Sequence, residues 1–106
     1  MSEILKDVQT LVASEEVRIS AHGYDELSDD GIAARDIISG VATARSLEEY
    51  PDFPKGRCVL VLQQDRRNAP IHVVWGIPRG SDKPAVVVTA YRPDPKRWSE
   101  DFTRRL

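Results

Sequence analysis

The sequence predicts an α+β domain of two layers, with N-terminal helices packed on one face of a four-stranded antiparallel meander. Three observations carry this. Apolar residues recur at helical spacing as far as Val41. From Ala44 onward they change to strand-like runs bounded by Gly, Pro, Asn and Asp. The links between those runs are short, which favours antiparallel neighbours. A chain of 106 residues supplies one core, so residues 1–106 are expected to form a single domain.

Residues 2–13 read as an amphipathic helix, with Ser2 as cap and Ile4, Leu5, Val8, Leu11 and Val12 on one stripe. Val17 to Ser20 alternates like a short strand, to be added at one edge of the sheet. Ser20 then caps a second helix from about Ala21 to Ser28, which places His22 in the first turn. Asp29-Asp30-Gly31 reads as a turn. Ile32 to about Val41 is a third helix, with Gly40 near its end. Four strands follow: Arg45 to Tyr50, Cys58 to Gln64, Pro70 to Ile77, and Pro84 to Tyr91. Asp65 to Ala69 is a hairpin loop with two adjacent arginines, and Pro78 to Lys83 is a second loop of turn-forming residues. Arg92-Pro93-Asp94-Pro95 leaves the sheet extended, because proline excludes helical geometry from the residue before it.

The central strand is Ile71-His72-Val73-Val74-Trp75-Gly76-Ile77. Side chains alternate across a strand, so Ile71, Val73, Trp75 and Ile77 form a core face. His72, Val74 and Gly76 share the other face. If Ile77 pairs with Pro84, His72 lies opposite Thr89 and Tyr91 falls on the His72 face. A slip by one residue puts Arg92 there instead.

Composition narrows the function classes. Hydrophobic residues make up 41% and charged residues 30%, as in a folded soluble protein. No apolar run reaches the roughly 20 residues of a membrane helix, so a cytoplasmic protein with no membrane partner is expected. The one cysteine, Cys58, cannot form an internal disulfide. No metal-ligand cluster, glycine-rich phosphate loop or serine nucleophile motif is present, so neither metal nor cofactor is expected. Net charge is −2 but uneven: residues 1–53 carry four Lys/Arg against twelve Asp/Glu, and residues 54–106 eleven against five. The basic half either meets a polyanion or neutralises the acidic half within the fold.

The two histidines suggest one chemistry. RNA cleavage by its own 2′-hydroxyl needs a base, an acid, and fixed positive charge beside the reacting phosphate. His22 and His72 could transfer the protons, with charge from Arg18, Arg92 or Lys96. Each histidine also has a plain reading: His72 as a structural residue of the sheet, His22 as a local capping group with Glu26 at helical spacing. Tyr91 and Trp98 flank the basic segment and could stack unpaired bases. Trp98 is better read as packing the tail onto the domain.

The runs Val17-Arg18-Ile19-Ser20-Ala21-His22 with Gly31-Ile32, then Pro70 to Gly76, then Tyr91-Arg92-Pro93-Asp94-Pro95-Lys96-Arg97-Trp98 resemble the domain of unknown function 4258 family, over about residues 15–102. That family is similar in plan to the RelE-like group of small bacterial toxins, and many members sit beside a zinc-finger antitoxin of the MqsA type. The resemblance implies an RNA-cleaving toxin of a two-gene pair. It places His22, His72 and the Tyr91-Arg92 pair at the family's recurring polar positions. With the chemistry above, His22, His72 and Arg92 are the candidate catalytic residues, and Arg18, Tyr91 and Lys96 the candidate substrate-binding residues. The implied partners are RNA and an antitoxin protein. One departure stands out. The family usually carries basic residues after His22, whereas this chain reads Gly23-Tyr24-Asp25-Glu26-Leu27-Ser28-Asp29-Asp30. Negative charge there weakens attraction for phosphate. The rival expectation is a non-catalytic binding module that pairs with a protein partner such as an antitoxin.

Overall fold

Ser2 opens the first helix, α1 (Glu3–Ala13), by accepting a hydrogen bond from the Leu5 N–H at 3.0 Å. The computed structural model describes residues 2–106, except for the side chain of Glu26. Ile4, Leu5 and Val8 are buried, and each contributes about 1.5–3 kcal/mol by leaving water. The chain continues through β1 (Val17–Ile19), α2 (Ala21–Asp30) and α3 (Ala34–Gly40). A single 3-10 turn at Val41–Thr43 leads to β2 (Arg45–Tyr50), β3 (Cys58–Gln64), β4 (Pro70–Gly76) and β5 (Ala85–Tyr91).

Two helix boundaries differ from expectation for one reason. Gly31 adopts the left-handed conformation (φ 64°), and the Ile32 N–H reaches back to the Leu27 carbonyl at 2.9 Å. This Schellman closure lets α2 run through Asp29 and Asp30. It also draws Ile32 into the core as part of the cap, so α3 starts at Ala34.

The sheet corrects the expected four-stranded antiparallel meander. It has five strands in the order β1-β5-β4-β3-β2 and is mixed. Strands β2 to β5 do form an antiparallel meander, but β1 lies parallel to β5, with Arg18 opposite Val86. The core lies on one face. Val59, Val61, Ile71, Val73, Trp75, Val87 and Ala90 there meet Ile4, Leu5, Val8, Leu27 and Ile37 from the helices. One polar group is built into this core. Trp75 Nε1–H donates to Gln63 Oε1 at 2.8 Å, and Gln63 Nε2 donates to the Ile37 carbonyl at 3.0 Å.

Two bulges set what appears on the opposite face. Near the β4–β5 loop, Trp75 pairs with Val87; beyond it, Val74 pairs with Thr89 and His72 with Tyr91. Val88 is the extra residue. The expected pairing of His72 with Thr89 is therefore replaced by His72 with Tyr91; Tyr91 still falls on the His72 face, as that register expected, because the extra residue offsets the one-residue shift at the loop end. A bulge at Leu47 likewise sets Glu48 opposite Leu60 and Tyr50 opposite Cys58.

Candidate functional site

The face of the sheet away from the helices is divided. Its rows run Arg18–Val86–Gly76–Cys58–Tyr50, then Thr89–Val74–Leu60–Glu48, then Tyr91–His72–Leu62. The third row is closed and the first is open.

The C-terminal segment closes the third row. Trp98 and Arg105 pair as an antiparallel bridge, and the Ser99 N–H donates to the Arg104 carbonyl at 2.7 Å. Asp101 accepts from Ser99 Oγ and Thr103 Oγ1, both at 2.7 Å, which holds its carboxyl down at about 2. This compact loop seats Trp98 edge-on against the His72 ring, 4.3 Å between centroids. The Arg105 guanidinium stacks 4.8 Å above the indole and makes a two-pronged pair with Glu48 at 3.0 and 3.1 Å. Tyr50 also bonds Glu48. Arg105 chiefly, then Tyr50, hold the Glu48 carboxyl below its ordinary range.

His72 is consequently 0% exposed. Its Nε2 lies 2.8 Å from the Phe102 carbonyl and its Nδ1 3.2 Å from the Tyr91 hydroxyl. A carbonyl can only accept, so the network assigns the proton to Nε2, and the Tyr91 O–H donates to Nδ1. Burial pushes the imidazole pKa down; the Phe102 bond opposes this in part. Burial thus favours the neutral ring, and both its nitrogens are committed.

The first row lies in a hollow: Arg18 and Tyr50 at its ends are exposed, while Val86, Gly76 and Cys58 between them are buried. It floors a trough of about 600 Å3, with Val74, Val86 and Val88 below, Tyr50 and Phe53 along one side, and Arg18, His22 and Lys55 at the rim. Helix α2 reaches this rim because Gly23 permits close approach to β5: a Cβ there would stand 2.8 Å from the Val87 carbonyl. Ser20 fixes the entry, accepting from the Gly23 N–H at 2.9 Å and donating to the Val88 carbonyl at 3.1 Å. Gly56 forms the far corner with φ 138°, where a Cβ would come within 2.1 Å of the Ile77 carbonyl.

The six candidate residues thus fall into two groups and one enclosed member. Arg18 and His22 line the trough. Tyr91, Arg92 and Lys96 line a second hollow of about 630 Å3 beside Trp98 and Arg105. His72 lines neither, so the two imidazoles do not meet in one hollow. Arg92 is engaged in holding the chain together. Its guanidinium pairs with Asp65 at 2.9 Å and reaches the Pro70 carbonyl at 3.3 Å, while its backbone N–H donates to Asp30 at 2.8 Å. The expected His22–Glu26 contact lies outside the described residues. Among the described residues there is no group of three or more His, Cys, Asp or Glu that could hold a metal. No helix among them is long and apolar enough to cross a membrane.

Sequence reasoning missed the trough wall, Tyr50, Phe53 and Lys55. It passed over one available signal: Cys58, Leu60 and Leu62 are apolar on the face away from the helices, and a strand apolar on both faces needs cover on both. The tail covers one end of that face. No curated protein and no solved structure matches the chain significantly. The family described as Domain of unknown function (DUF4258) matches residues 19–92, from the end of β1 to the residue after β5. That span contains the sheet meander, the trough floor and His72, and it exceeds two thirds of the sequence. The chain belongs to the DUF4258 family.

Proposed function

We propose that this domain is a non-catalytic binding module that pairs with a protein partner in the cytoplasm, an antitoxin-type protein in the RelE-like setting that the sequence resembles. One observation carries the reading: His72 is sealed, with both ring nitrogens bonded inside the fold, while the adjoining half of the same sheet face is left apolar and open. A general acid or base must come within hydrogen-bond reach of the group it serves. His72 can do so only if the Trp98–Arg105 loop lifts. An uncovered apolar surface ringed by polar groups is the usual mark of an interaction site.

A second reading keeps one observation in its favour. Arg18 and His22 share the trough, so one imidazole and one guanidinium adjoin a space a phosphate could enter. This is the metal-independent endoribonuclease toxin, with RNA as substrate. Two measurements separate the readings. Purified protein is incubated with single-stranded RNA in chelator, beside His22→Ala, His72→Ala and Arg92→Ala, and it is titrated with the product of the adjacent gene. The binding-module reading expects intact RNA and a saturable protein complex. RNA cleavage that disappears in His22→Ala would overturn it.

A further inference from the structure

The trough has a charge bias opposite in sign to the net charge of the chain. The chain is acidic overall, with 17 Asp/Glu against 15 Lys/Arg. None of the described residues lining the trough is a carboxylate, yet Arg18 and Lys55 both stand at its rim. Both are exposed, and neither has an ion-pair partner among the described residues. By contrast, Arg92 and Arg105 at the tail end of the molecule are each neutralised by a carboxylate at about 3 Å. Lys96 and Arg104 of the tail are likewise without an ion pair among the described residues, but the tail hollow also holds the Asp94 carboxylate, whereas no carboxylate among the described residues lines the trough beside Arg18 and Lys55.

The wall points to a macromolecular occupant. Tyr50 and Phe53 are 37% and 50% exposed, two of only four large hydrophobic side chains this open among the described residues. A small-molecule pocket encloses most of its ligand, whereas a wall this exposed does not close over one. Half-exposed aromatic side chains beside an apolar floor are the composition of a protein-binding patch, in which such residues become the buried anchors.

Resting on the binding-module reading above, we infer that the trough between β5 and the β2–β3 corner takes an acidic, apolar-anchored segment of the partner protein. Its aliphatic side chains lie on Val74, Val86 and Val88, and its carboxylates reach Arg18 on one rim and Lys55 on the other. The apolar floor supplies affinity, and the two cations supply the choice of sign and an on-rate that salt slows.

The test uses the full chain with 13C-labelled valine methyl groups and three blocked synthetic peptides: alternating leucine–glutamate, leucine–lysine and serine–glutamate. The leucine–glutamate peptide is expected to shift the methyl signals of Val74, Val86 and Val88 saturably, while the other two leave them in place. The double variant Arg18→Glu/Lys55→Glu changes two exposed side chains and keeps the fold; it should weaken that peptide by about tenfold or more and admit the leucine–lysine peptide instead. Equal binding of both leucine peptides, binding of serine–glutamate as strong as leucine–glutamate, or no shift with any peptide would overturn the inference. So would a single-stranded RNA oligonucleotide that moves the same methyls more strongly. A complex with the adjacent gene product that leaves these methyls unmoved would remove the inference while leaving the binding-module reading standing. Failure of that reading would appear instead as RNA cleavage.

Discussion

Acidification should loosen this fold through His72 before any carboxylate contributes. The native environment favours the neutral ring, because burial lowers its pKa, while in the unfolded chain a histidine titrates near 6.5. Below that value the unfolded state binds a proton that the native state refuses, so stability is fully present above about pH 6.5 and falls as the pH drops toward the native pKa. Over that window the slope approaches about 1.4 kcal/mol per pH unit. Moving from pH 7.5 to 5.5 should therefore lower stability and Tm together, by at most about 1.4 kcal/mol and about 5 °C, the ceiling for one proton linked over that window. Glu48, Asp65 and Asp101 are all held below their ordinary values, so their contributions are lost only in more acid solution. Urea unfolding between pH 7.5 and 5.5, for the wild type and His72→Gln, isolates the effect. The variant should start less stable and show a flatter profile in this window. A variant that keeps the wild-type slope, or a wild type that gains stability on acidification, would refute the argument that a buried neutral imidazole anchors the tail.

Three further outcomes follow from packing. Trp98→Ala should destabilise by about 3–5 kcal/mol and should let diethyl pyrocarbonate reach His72, read by mass spectrometry as a modification absent from the folded wild type. Gly23→Ala should cost about 1–3 kcal/mol in urea unfolding, because the new methyl meets the Val87 carbonyl and α2 must back away from β5; a stabilised variant would show that contact to be soft. Gln63→Leu matches the shape but strands the Trp75 indole N–H in the core, with an expected loss of about 1–3 kcal/mol in the same measurement.

The site was legible only in part. His72 stood out because a titratable ring interrupts an apolar strand, and its placement on the face opposite Trp75 followed from alternation alone. Trp98 was readable as a packing residue because one large aromatic lies among prolines and charges. Its target was not readable. The tail folds back across the sheet to reach His72, and the polar contacts that hold it there, Arg105 on Glu48 and the Phe102 carbonyl on His72, span 57 and 30 residues. The pairing of Arg92 with Asp65 was hidden for the same reason, and that pairing turns an apparent phosphate ligand into a loop anchor.

Local chemistry in the sequence determined the helices, the four meander strands and the core face. Capping serines, a left-handed glycine, proline breaks and the period of the apolar residues each act over a few positions. Tertiary structure alone decided three things: that β1 joins β5 in parallel across more than half the chain, that one extra residue at Val88 pairs Tyr91 directly with His72, and that the tail shuts one half of a sheet face and leaves the other as a trough. The physical reason is the same in each case. A side chain's role depends on whether water or another segment covers it, and residues distant in sequence supply that cover.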